Sequence, residues 1–396
     1  MYSAGRNHPG SSATLQPLRD RTGPEELVVL SHLRWTFVWQ RPQQLISRLA
    51  RRRKTWFVEE PQAVDGLQAP RLQVERHGNI RRVWLEVPGC EPHVCFSEPR
   101  AFEYGPMLRE LLGPHPRRTA WLYTPMALPL AQALGPSALV YDVMDDLAAF
   151  KGAPVQLDLR QRQALRVADV VFTGGRSLHR SVLQRGAEQA HCFPSGVDPT
   201  HYAVAASLRR ADAERANRRP VAGYVGVIDE RLDPELLEDL ADSLPEWEIR
   251  MVGPVVKIDP VTLPRRANIT YPGQARYEDL PELMAGFDVA LMPFAMNEAT
   301  RSISPTKTLE YLAAGLPVVS TRVPDVVRDY RDVVDLRDDG AGFARACVRV
   351  AQQCPDARAA RVAPLLRLHH WDTIAARMEE IISVPPRSVT NPGVTA

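Results

Sequence analysis

The residues best suited to chemistry lie in Asn297–Thr321, which reads NEATRSISPTKTLEYLAAGLPVVST. Ser304 is a residue type preferred at a helix N-cap, Pro305 suits the first helical position, and Gly315 suits the end. Lys307 then falls in the first helical turn, where the helix dipole disfavours a cation by about 0.3–1 kcal/mol. It takes the place of the usual capping-box acid. A cation beside free backbone N–H groups indicates an anion site, and phosphate is the usual anion.

Glu310 follows Lys307 by three residues, so a helix places both side chains on one face. A lysine on phosphate with a carboxylate about 5–6 Å further along suits a nucleoside diphosphate, whose ribose diol needs an acceptor. Ser304 and Thr306 would add hydroxyl or backbone contacts to the phosphates. The alternatives are a surface Lys–Glu pair and, for Ser304, an ordinary N-cap.

Elements that would position this helix follow from alternating apolar runs and helix-period segments. The expected strands are Leu27–Ser31, Thr55–Val58, Val83–Val87, Ala120–Tyr123, Leu139–Asp142, Val170–Thr173, Val221–Val225, Ile249–Val252, Val289–Pro293 and Pro317–Thr321. Continuous apolar strands between helices are typical of parallel sheets covered on both faces. We therefore expect an α/β protein with two doubly wound, Rossmann-like domains facing across a cleft. The Ser304 helix would begin beyond the carboxyl end of a strand, where such sheets bind ligands.

Composition restricts the class of protein. Of 396 residues, 44% are hydrophobic and 24% charged, with a formal net charge of +2, which excludes wholesale disorder and gives no drive toward nucleic acid. The five cysteines form no CxxC pair, so neither a disulfide framework nor a zinc site is expected. With no apolar run of about 18 residues and no apolar leader, we expect a cytoplasmic protein.

The domain boundaries follow from composition shifts. We expect a disordered tail over 1–24, a first domain over 25–200 and a second domain over 201–370. A final helix would span 371–384, before a Pro-rich tail over 385–396. The seam is expected in the Arg/Ala-rich segment Pro199–Pro220.

The segment SPTKTLEYLAAGLPVVST resembles the sugar-nucleotide site of GT-B glycosyltransferases, especially the retaining enzymes of glycosyltransferase family 4. Asp288–Phe294, Gly223–Arg231 and Phe193–Asp198 are similar to other segments of that family, and the resemblance covers most of residues 25–385. Four further segments resemble a bacterial branch associated with cell-surface polysaccharide synthesis, including teichuronic-acid-type enzymes: Trp35–Leu45, Leu122–Met126, Tyr141–Asp146 and Ala168–Thr173.

This resemblance implies transfer of a sugar from a UDP- or GDP-type donor to a glycan or lipid-linked acceptor, with retention of anomeric configuration. It implies no further cofactor, and no Asp-x-Asp metal motif occurs in the chain. It also implies that the first domain, 25–200, is the acceptor side and that the second, 201–370, binds the nucleotide sugar, with a final helix that crosses back to the first domain. Lys307 and Arg231 would stabilise the departing diphosphate, although a solvated arginine is the alternative for Arg231. The nucleotide-sugar site would comprise Glu310, on the ribose, with Ser304, Pro305, Thr306 and Gly226.

Acceptor-side candidates lie in the first domain. Asp142, Asp145 and Asp146 follow a strand end, and Asp145 is our predicted base for the acceptor hydroxyl; plain loop or capping roles are the alternative. Arg41 precedes Pro42 at the start of the first helix, where it would contact phosphate or acceptor, or pair with a carboxylate instead. His32 ends the first strand at the cleft rim, where a core or loop role is the alternative.

Two departures from the family pattern limit what the resemblance implies. The family's pair of glutamates is separated by seven intervening residues, which would place its first member at Ser302, and Glu298 is the nearby alternative. His32–Trp35 stands where the family has a glycine pair, so the identity of the donor sugar does not carry over.

The basic run Arg51–Lys54 is expected to end the first helix, where cations suit the dipole. It is either simply solvated or in peripheral contact with an anionic membrane at its inner face. Competing classes are a non-catalytic sugar-nucleotide sensor, a GT-B epimerase or phosphorylase, and an NAD-dependent oxidoreductase. The last of these lacks its G-x-G-x-x-G signature here.

Overall fold

The computed structural model describes residues 25–91, 94–150, 153–212, 217–301, 303 and 306–383. The first sheet contains β1 Glu26–Ser31, β2 Lys54–Glu59, β3 Gln62–Val64, β4 Arg71–His77, β5 Ile80–Pro88, β6 Arg118–Leu122, β7 Ala138–Val143, β8 Val170–Thr173 and β9 His191–Cys192. The second sheet contains β10 Val221–Val225, β11 Glu248–Val252, β12 Ile269–Gly273, β13 Val289–Met292, β14 Val318–Ser320 and β15 Asp335–Leu336. We call each sheet with its covering helices the first and the second domain.

Helices follow most strands in both domains. Those before the second sheet are α1 Arg41–Leu49, α2 Tyr104–Leu112, α3 Leu128–Ala133, α4 Gln156–Val167, α5 Arg176–Gln184 and α6 Pro199–Ala211. The helices that come after β10 in the chain are α7 Pro234–Ser243, α8 Leu280–Ala285, α9 Glu298–Arg301, α10 Thr306–Ala313, α11 Pro324–Tyr330, α12 Gly340–Ala351, α13 Pro355–Leu368 and α14 Trp371–Ser383. The expected strand–helix alternation is confirmed in both halves of the chain.

The strand orders are those of doubly wound sheets. The second sheet runs β12-β11-β10-β13-β14-β15, and the first contains the equivalent order β5-β2-β1-β6-β7-β8, with all of these neighbours parallel. The order therefore reverses between β1 and β6 and between β10 and β13. Such switch points open a crevice at the carboxyl ends of the strands, where ligands bind.

An antiparallel hairpin departs from the expected all-parallel sheets. β4 pairs antiparallel with β5 along its whole length, at the edge of the first sheet. Leu72 and Val74 are the only strongly apolar residues of β4, and Val74 is 48% exposed. Because this strand carries little apolar sequence, the search for continuous apolar runs missed it.

Both faces of the first sheet are buried. In β1, Val28 and Leu30 enter one apolar cluster, whereas Leu27 and Val29 enter another on the opposite face, and all four are fully buried. This double burial explains the unbroken apolar run in the sequence. The second sheet has one large cluster, which α6 joins through Tyr202 and Ala205. The predicted seam segment is therefore helical over its first part.

The last helix, α14, crosses back to the first domain, as expected. Trp371, Ile374 and Met378 are buried in the same cluster as Ile46 and Leu49 of α1. The backbone N–H of Trp371 donates to the carbonyl of Val197 at 3.1 Å. The end of the described chain is thus part of the first domain's core.

One prediction about α1 was wrong. The helix ends at Leu49, and Arg51–Arg53 lie in the turn before β2. The apolar positions of α1 stop at Leu49, so no further turn of helix could bury an apolar side chain. These arginines consequently project from a turn instead of extending the helix.

Asp325 joins the two domains at a helix end. This buried carboxylate, next to the start of α11, accepts hydrogen bonds from the hydroxyl of Ser177 at 2.7 Å and from the backbone N–H of Arg176 at 3.1 Å. Both donors belong to the first turn of α5 in the first domain. A carboxylate is favourable there because it faces the positive end of the helix dipole.

Candidate functional site

A cleft of about 120 Å³ lies between the carboxyl ends of the two sheets. Its first-domain wall consists of residues that come directly after β7 and β8 and of the loop before α1. Its second-domain wall consists of residues that come after β10 and β13 and of the start of α10. The lining side chains and backbone belong to Val38, Trp39, Gln40, Arg41, Met144, Asp145, Gly174, Ser195, Tyr224, Gly226, Val227, Arg231, Phe294, Ile303, Thr306, Lys307 and Glu310. The sequence-predicted candidates Asp145, Arg231, Lys307 and Glu310 are therefore brought together.

Lys307 and Glu310 form an ion pair on the wall of this cleft. The distance from Lys307 Nζ to Glu310 Oε2 is 2.6 Å, and the two side chains are 16% and 3% exposed. The structure therefore contains the Lys–Glu pair considered from sequence, in a cleft and largely hidden from solvent. Ser304 and Pro305, and with them the predicted N-cap, lie outside the described residues.

Thr306 connects the start of α10 to the segment that closes the first domain. Its Oγ1 donates to Ser195 Oγ at 3.0 Å, and both residues line the cleft. This contact fixes the hydroxyl of Thr306 on the second-domain wall of the cleft. It also ties the position of α10 to the segment between the domains.

Arg231 is held in a defined orientation by Asp229. The guanidinium makes bidentate contacts, with Nε 2.9 Å from Oδ1 and Nη2 2.8 Å from Oδ2. Burial opposes its charge, but the hydrogen bonds to Asp229 and the attraction of Asp145 outweigh that effect, so the pKa of Arg231 is raised. The arginine is consequently a fixed cation at the cleft and not a solvated one.

Gly226 lines the cleft in close contact with Tyr224. A Cβ at this position would lie 2.7 Å from the hydroxyl oxygen of Tyr224, which is too close for an ordinary contact. Gly253 packs against the carbonyl oxygen of Gly226, where a Cβ would lie only 1.7 Å away. The loops after β10 and β11 therefore each require glycine at this point of close approach, and the loop after β10 lines the cleft.

Phe150 of the first domain is flanked by two cations of the second domain, a contact that the sequence analysis missed. The Lys257 Nζ lies 4.2 Å and the Arg231 guanidinium carbon 5.7 Å from the ring centroid. Lys257 is also the one non-glycine residue of the described chain with a positive φ, 63°. Such a backbone conformation is costly for a side-chain-bearing residue and clusters at functional sites.

Asp145 lies opposite these cations. It lines the cleft, and burial raises the pKa of its carboxyl, while Arg231 and Lys257 act against that rise. A carboxylate with a raised pKa is better matched to accept a proton from an alcohol than an ordinary aspartate. Its neighbour Asp146 is paired with Arg185 at 2.9 Å and has a structural partner.

Arg41, which lines the cleft, is paired with Asp142, which does not. Arg41 Nη2 lies 2.9 Å from Asp142 Oδ1, and the two side chains are 3% and 0% exposed. Arg41 Nη1 also donates to the carbonyl of Phe193 at 2.8 Å. Of the two interpretations from sequence, the structure favours the carboxylate pair for Arg41. Asp142 is in turn occupied by the arginine, which leaves Asp145 as the carboxylate of this loop that faces the cleft.

His32 directly follows β1 and is partly buried, with its Nδ1 lacking a hydrogen-bond partner among the described residues. Burial, and then the nearby Lys257 cation, lower the pKa of His32 to about 4. The imidazole is therefore neutral at physiological pH. It is not one of the residues that line the cleft.

Aromatic side chains fix the two walls relative to each other. The rings of Trp39 and Tyr277 stack with centroids 5.2 Å apart, and Gln44 Nε2 donates to the Tyr277 hydroxyl at 3.1 Å. On its other side Tyr277 stacks on His201 at 4.1 Å. The sequence offered only the conspicuous tryptophan of WTFVWQRP as a hint of this contact, because Tyr277 lies in the other domain.

Three further observations concern alternatives raised from sequence. Glu298 is exposed on α9 and does not line the cleft, and Ser302 is not among the described residues. Within the described ranges, no group of three or more His, Cys, Asp or Glu side chains is placed to hold a metal ion. None of the described helices is long and apolar enough to cross a membrane.

Comparison with solved structures gives the class of fold. Sucrose-phosphate synthase from Thermosynechococcus elongatus superposes with a TM-score of 0.66, covering 90% of this chain and 98% of that one at 15% identity. HepE from Anabaena, in complex with UDP and glucose, superposes with a TM-score of 0.61, covering 91% and 99% at 16% identity. Together with the paired sheets and the crossing helix, these similarities show the GT-B fold.

Sequence comparison gives the family of the second domain. Residues 219–353 match the family model described as Glycosyl transferases group 1. Over 272 residues the chain is 26% identical to TuaH of Bacillus subtilis (strain 168), which is named as a teichuronic acid biosynthesis glycosyltransferase; the match covers 63% of this chain and 68% of TuaH. Residues 219–353 therefore form a glycosyl transferases group 1 domain, in a chain that has the GT-B fold.

Proposed function

We propose that this protein transfers a sugar from a nucleoside-diphosphate sugar to a glycan or lipid-linked acceptor in cell-surface polysaccharide synthesis. Retention of anomeric configuration and independence from metal are part of the proposal, as is a place in glycosyltransferase family 4. The observation that carries it is the buried Lys307–Glu310 pair on the cleft wall, with Arg231 fixed beside it.

The two members of that pair suit the two ends of a nucleoside diphosphate. Lys307 lies in the first turn of α10, where phosphate oxygens would meet both its ammonium and the helix start. Glu310, one turn deeper, would accept hydrogen bonds from the ribose diol. When a donor binds, each partner exchanges part of its mutual ion pair for a ligand contact, so neither group is left buried without a partner.

The departing diphosphate gains negative charge as the glycosidic bond to the donor sugar breaks. Lys307 and Arg231 are positioned to stabilise that charge, and Asp229 keeps Arg231 from rotating away. Preorganised cations in a partly desolvated cleft stabilise a transition state by several kcal/mol because they need not reorganise during the reaction. This arrangement supports leaving-group stabilisation by protein groups.

Asp145 approaches the same cleft from the first domain and would take the proton of the acceptor hydroxyl. Its raised pKa brings the carboxyl nearer to the operating pH, which favours general-base catalysis. The acceptor would therefore enter along the first-domain wall, near Phe150. In cell-surface polysaccharide synthesis that acceptor is a growing glycan or a lipid-linked sugar, and TuaH, named for teichuronic acid biosynthesis, supports this choice.

The test is calorimetric titration with UDP, GDP, ADP and NAD, each in EDTA and in Mg²⁺. Because HepE is described in complex with UDP and glucose, UDP is the first nucleotide to examine. We expect one diphosphate to bind with the same affinity in both buffers. The donor sugar then follows from a panel of matching nucleotide sugars, and the anomeric configuration from NMR of the product.

Matched variants make the binding test specific. Glu310→Gln should weaken binding of the diphosphate, whereas Glu298→Gln makes the same chemical change on an exposed helix outside the cleft and should leave binding unchanged. Binding of NAD alone would contradict the proposal in favour of an oxidoreductase. Tight diphosphate binding without transfer to any glycan or lipid-linked acceptor would instead indicate a sugar-nucleotide sensor.

A further inference from the structure

A second charged pocket lies at the edge of the first sheet opposite the cleft. The turn that precedes β2 meets the tip of the β4–β5 hairpin there, because Thr55 pairs with Ile80 in parallel register and His77 pairs with Ile80 across the hairpin. The cleft lies at the other ends of these strands. A six-residue strand such as β2 spans about 20 Å at roughly 3.3 Å per residue, so the two sites are well separated.

The side chains that line this pocket are unusually uniform in charge. Six are cationic, and no acidic residue belongs to the lining: the cations are Arg51, Arg52, Arg53, Lys54, Arg76 and Arg81. The pocket has a volume of about 410 Å³. Since one water molecule occupies ~30 Å³ in the liquid, there is room for a ligand with several phosphate oxygens. We call this site the distal basic pocket.

Nearby carboxylates neutralise these cations only in part, because most of these carboxylates are shared with arginines outside the pocket. Asp372 lies 3.7 Å from Arg51 but only 2.6 Å from Arg48. Glu26 lies 3.2 Å from the pocket's lysine but 2.7 Å from Arg118. Asp372 and Glu26 are therefore held more closely by arginines outside the pocket. Glu379 contacts Arg52 at 3.8 Å and Arg53 at 3.5 Å, but one such carboxylate does not offset the charge of six cations.

Two arginines of the hairpin have no carboxylate partner among the described residues. Arg76 Nε donates to the carbonyl of Gly78, at the hairpin tip. The Arg81 guanidinium carbon lies 5.1 Å from the centroid of Trp56, against the face of the ring. Both guanidinium groups are thus oriented by neutral partners and keep N–H donors for a ligand.

Arg53 provides an independent indication of a ligand. Its side chain is only 6% exposed, and it is paired through Nε with Glu25 and through Nη2 with Glu379, at 3.5 Å. The remaining nitrogen, Nη1, is buried without a hydrogen-bond partner in the described part of the chain. A buried donor left without an acceptor costs about 1–3 kcal/mol, which an anionic oxygen in the pocket would recover.

Guanidinium groups match phosphate in geometry as well as in charge, since their planar N–H pairs bind two oxygens at once. We propose that the distal basic pocket binds a phosphate group, carried by a soluble diphosphate or by a phospholipid headgroup. This site is separate from the nucleotide-sugar cleft, so the proposal goes beyond the transferase reaction. A headgroup bound there would hold the first domain at an anionic bilayer by the sheet edge remote from the cleft.

The experiment compares two double variants of the full chain that lose the same charge. Arg76→Ala/Arg81→Ala removes the two arginines on the hairpin side of the pocket. Arg265→Ala/Arg322→Ala removes two exposed arginines of the second domain. Binding of inorganic pyrophosphate is measured by calorimetry at constant ionic strength. Sedimentation with phosphatidylcholine vesicles, with and without phosphatidylglycerol, provides the lipid arm. Melting temperatures verify that both variants fold.

We expect pyrophosphate, phosphatidylglycerol vesicles or both to bind the unmodified protein and the second-domain variant equally. Binding should weaken at least about tenfold in Arg76→Ala/Arg81→Ala, a loss of ~1.4 kcal/mol. Pyrophosphate binding alone would identify a soluble phosphate ligand, and vesicle binding a lipid headgroup. The absence of both, or an equal loss in the two double variants, would overturn the proposal. A loss of pyrophosphate binding in Lys307→Ala that does not occur in Arg76→Ala/Arg81→Ala would also overturn the proposal, because that result places the phosphate in the cleft.

Discussion

Arg41 and Asp142, 101 residues apart in the chain, form a buried bidentate pair between the start of α1 and the end of β7. Arg41 also binds the carbonyl of Phe193, so one guanidinium holds three segments of the first domain together. These segments support the wall of the cleft on which Asp145 lies. The pair therefore positions the site without belonging to its reactive groups.

Loss of one partner should be far more harmful than loss of both. Asp142→Leu alone leaves the Arg41 charge buried without a counter-ion and should cost about 3–5 kcal/mol of unfolding free energy. Arg41→Met/Asp142→Leu removes both charges and should be closer to the unmodified protein. Urea denaturation of the two single variants and the double variant measures the coupling. Strictly additive losses would contradict the role of the pair.

Lys307→Ala should weaken the binding of a nucleoside diphosphate more than the binding of the monophosphate. If the ammonium binds the diphosphate, the variant loses far more affinity for UDP than for UMP, or for GDP than for GMP if guanine is the base. Calorimetry with the four nucleotides measures the difference. Arg322→Ala, which removes an exposed cation outside the cleft, is the control. Equal losses for diphosphate and monophosphate would show that Lys307 serves only to neutralise Glu310.

Asp145→Asn should separate catalysis from binding. Removing the base should lower kcat by about 10²–10⁴-fold while donor affinity stays within a few-fold. Because burial raises the pKa of Asp145, activity of the unmodified protein should fall toward acid from a higher pH than an ordinary aspartate would give. The pH dependence of kcat/KM measures this limb. Asp146→Asn, which alters the neighbour paired with Arg185, should keep the same profile.

The charge on Lys257 should lower the pKa of His32 measurably. Burial and the Lys257 cation disfavour protonation, so NMR titration of the imidazole should give a midpoint near pH 4. Lys257→Met removes the repulsion, which is the smaller cause, and should raise the midpoint without restoring the usual value. A midpoint that is near 6.5, or that Lys257→Met does not move, would show that the two groups are not neighbours in solution.

Much of the fold was readable in the sequence because parallel strands are buried on both faces. Val170–Thr173 and Val221–Val225 are strands with the predicted ends, since each is a continuous apolar run. β4 was missed because an exposed edge strand carries no such run. The same difference in burial explains why the turn at Arg51 was taken for helix: its basic residues have no apolar period to mark where the helix stops.

The site was readable only where its signal is local. Lys307 and Glu310 lie within one helical turn, so their relationship is present in the sequence itself. Phe150 meets Lys257 from the other domain, and Trp39 meets Tyr277 in the same way. No spacing along the chain encodes such contacts, because they depend on how the two domains face each other.

The crossing of α14 has a consequence for synthesis on the ribosome. Trp371 and Met378 complete a core whose other members begin at Leu27, so the first domain cannot finish folding until almost the whole chain has emerged. Until then the apolar face of α1 around Ile46 is uncovered and open to wrong associations. The first domain is therefore synthesised early but completes its folding late. A truncation before residue 371 would leave the core of the first domain incomplete.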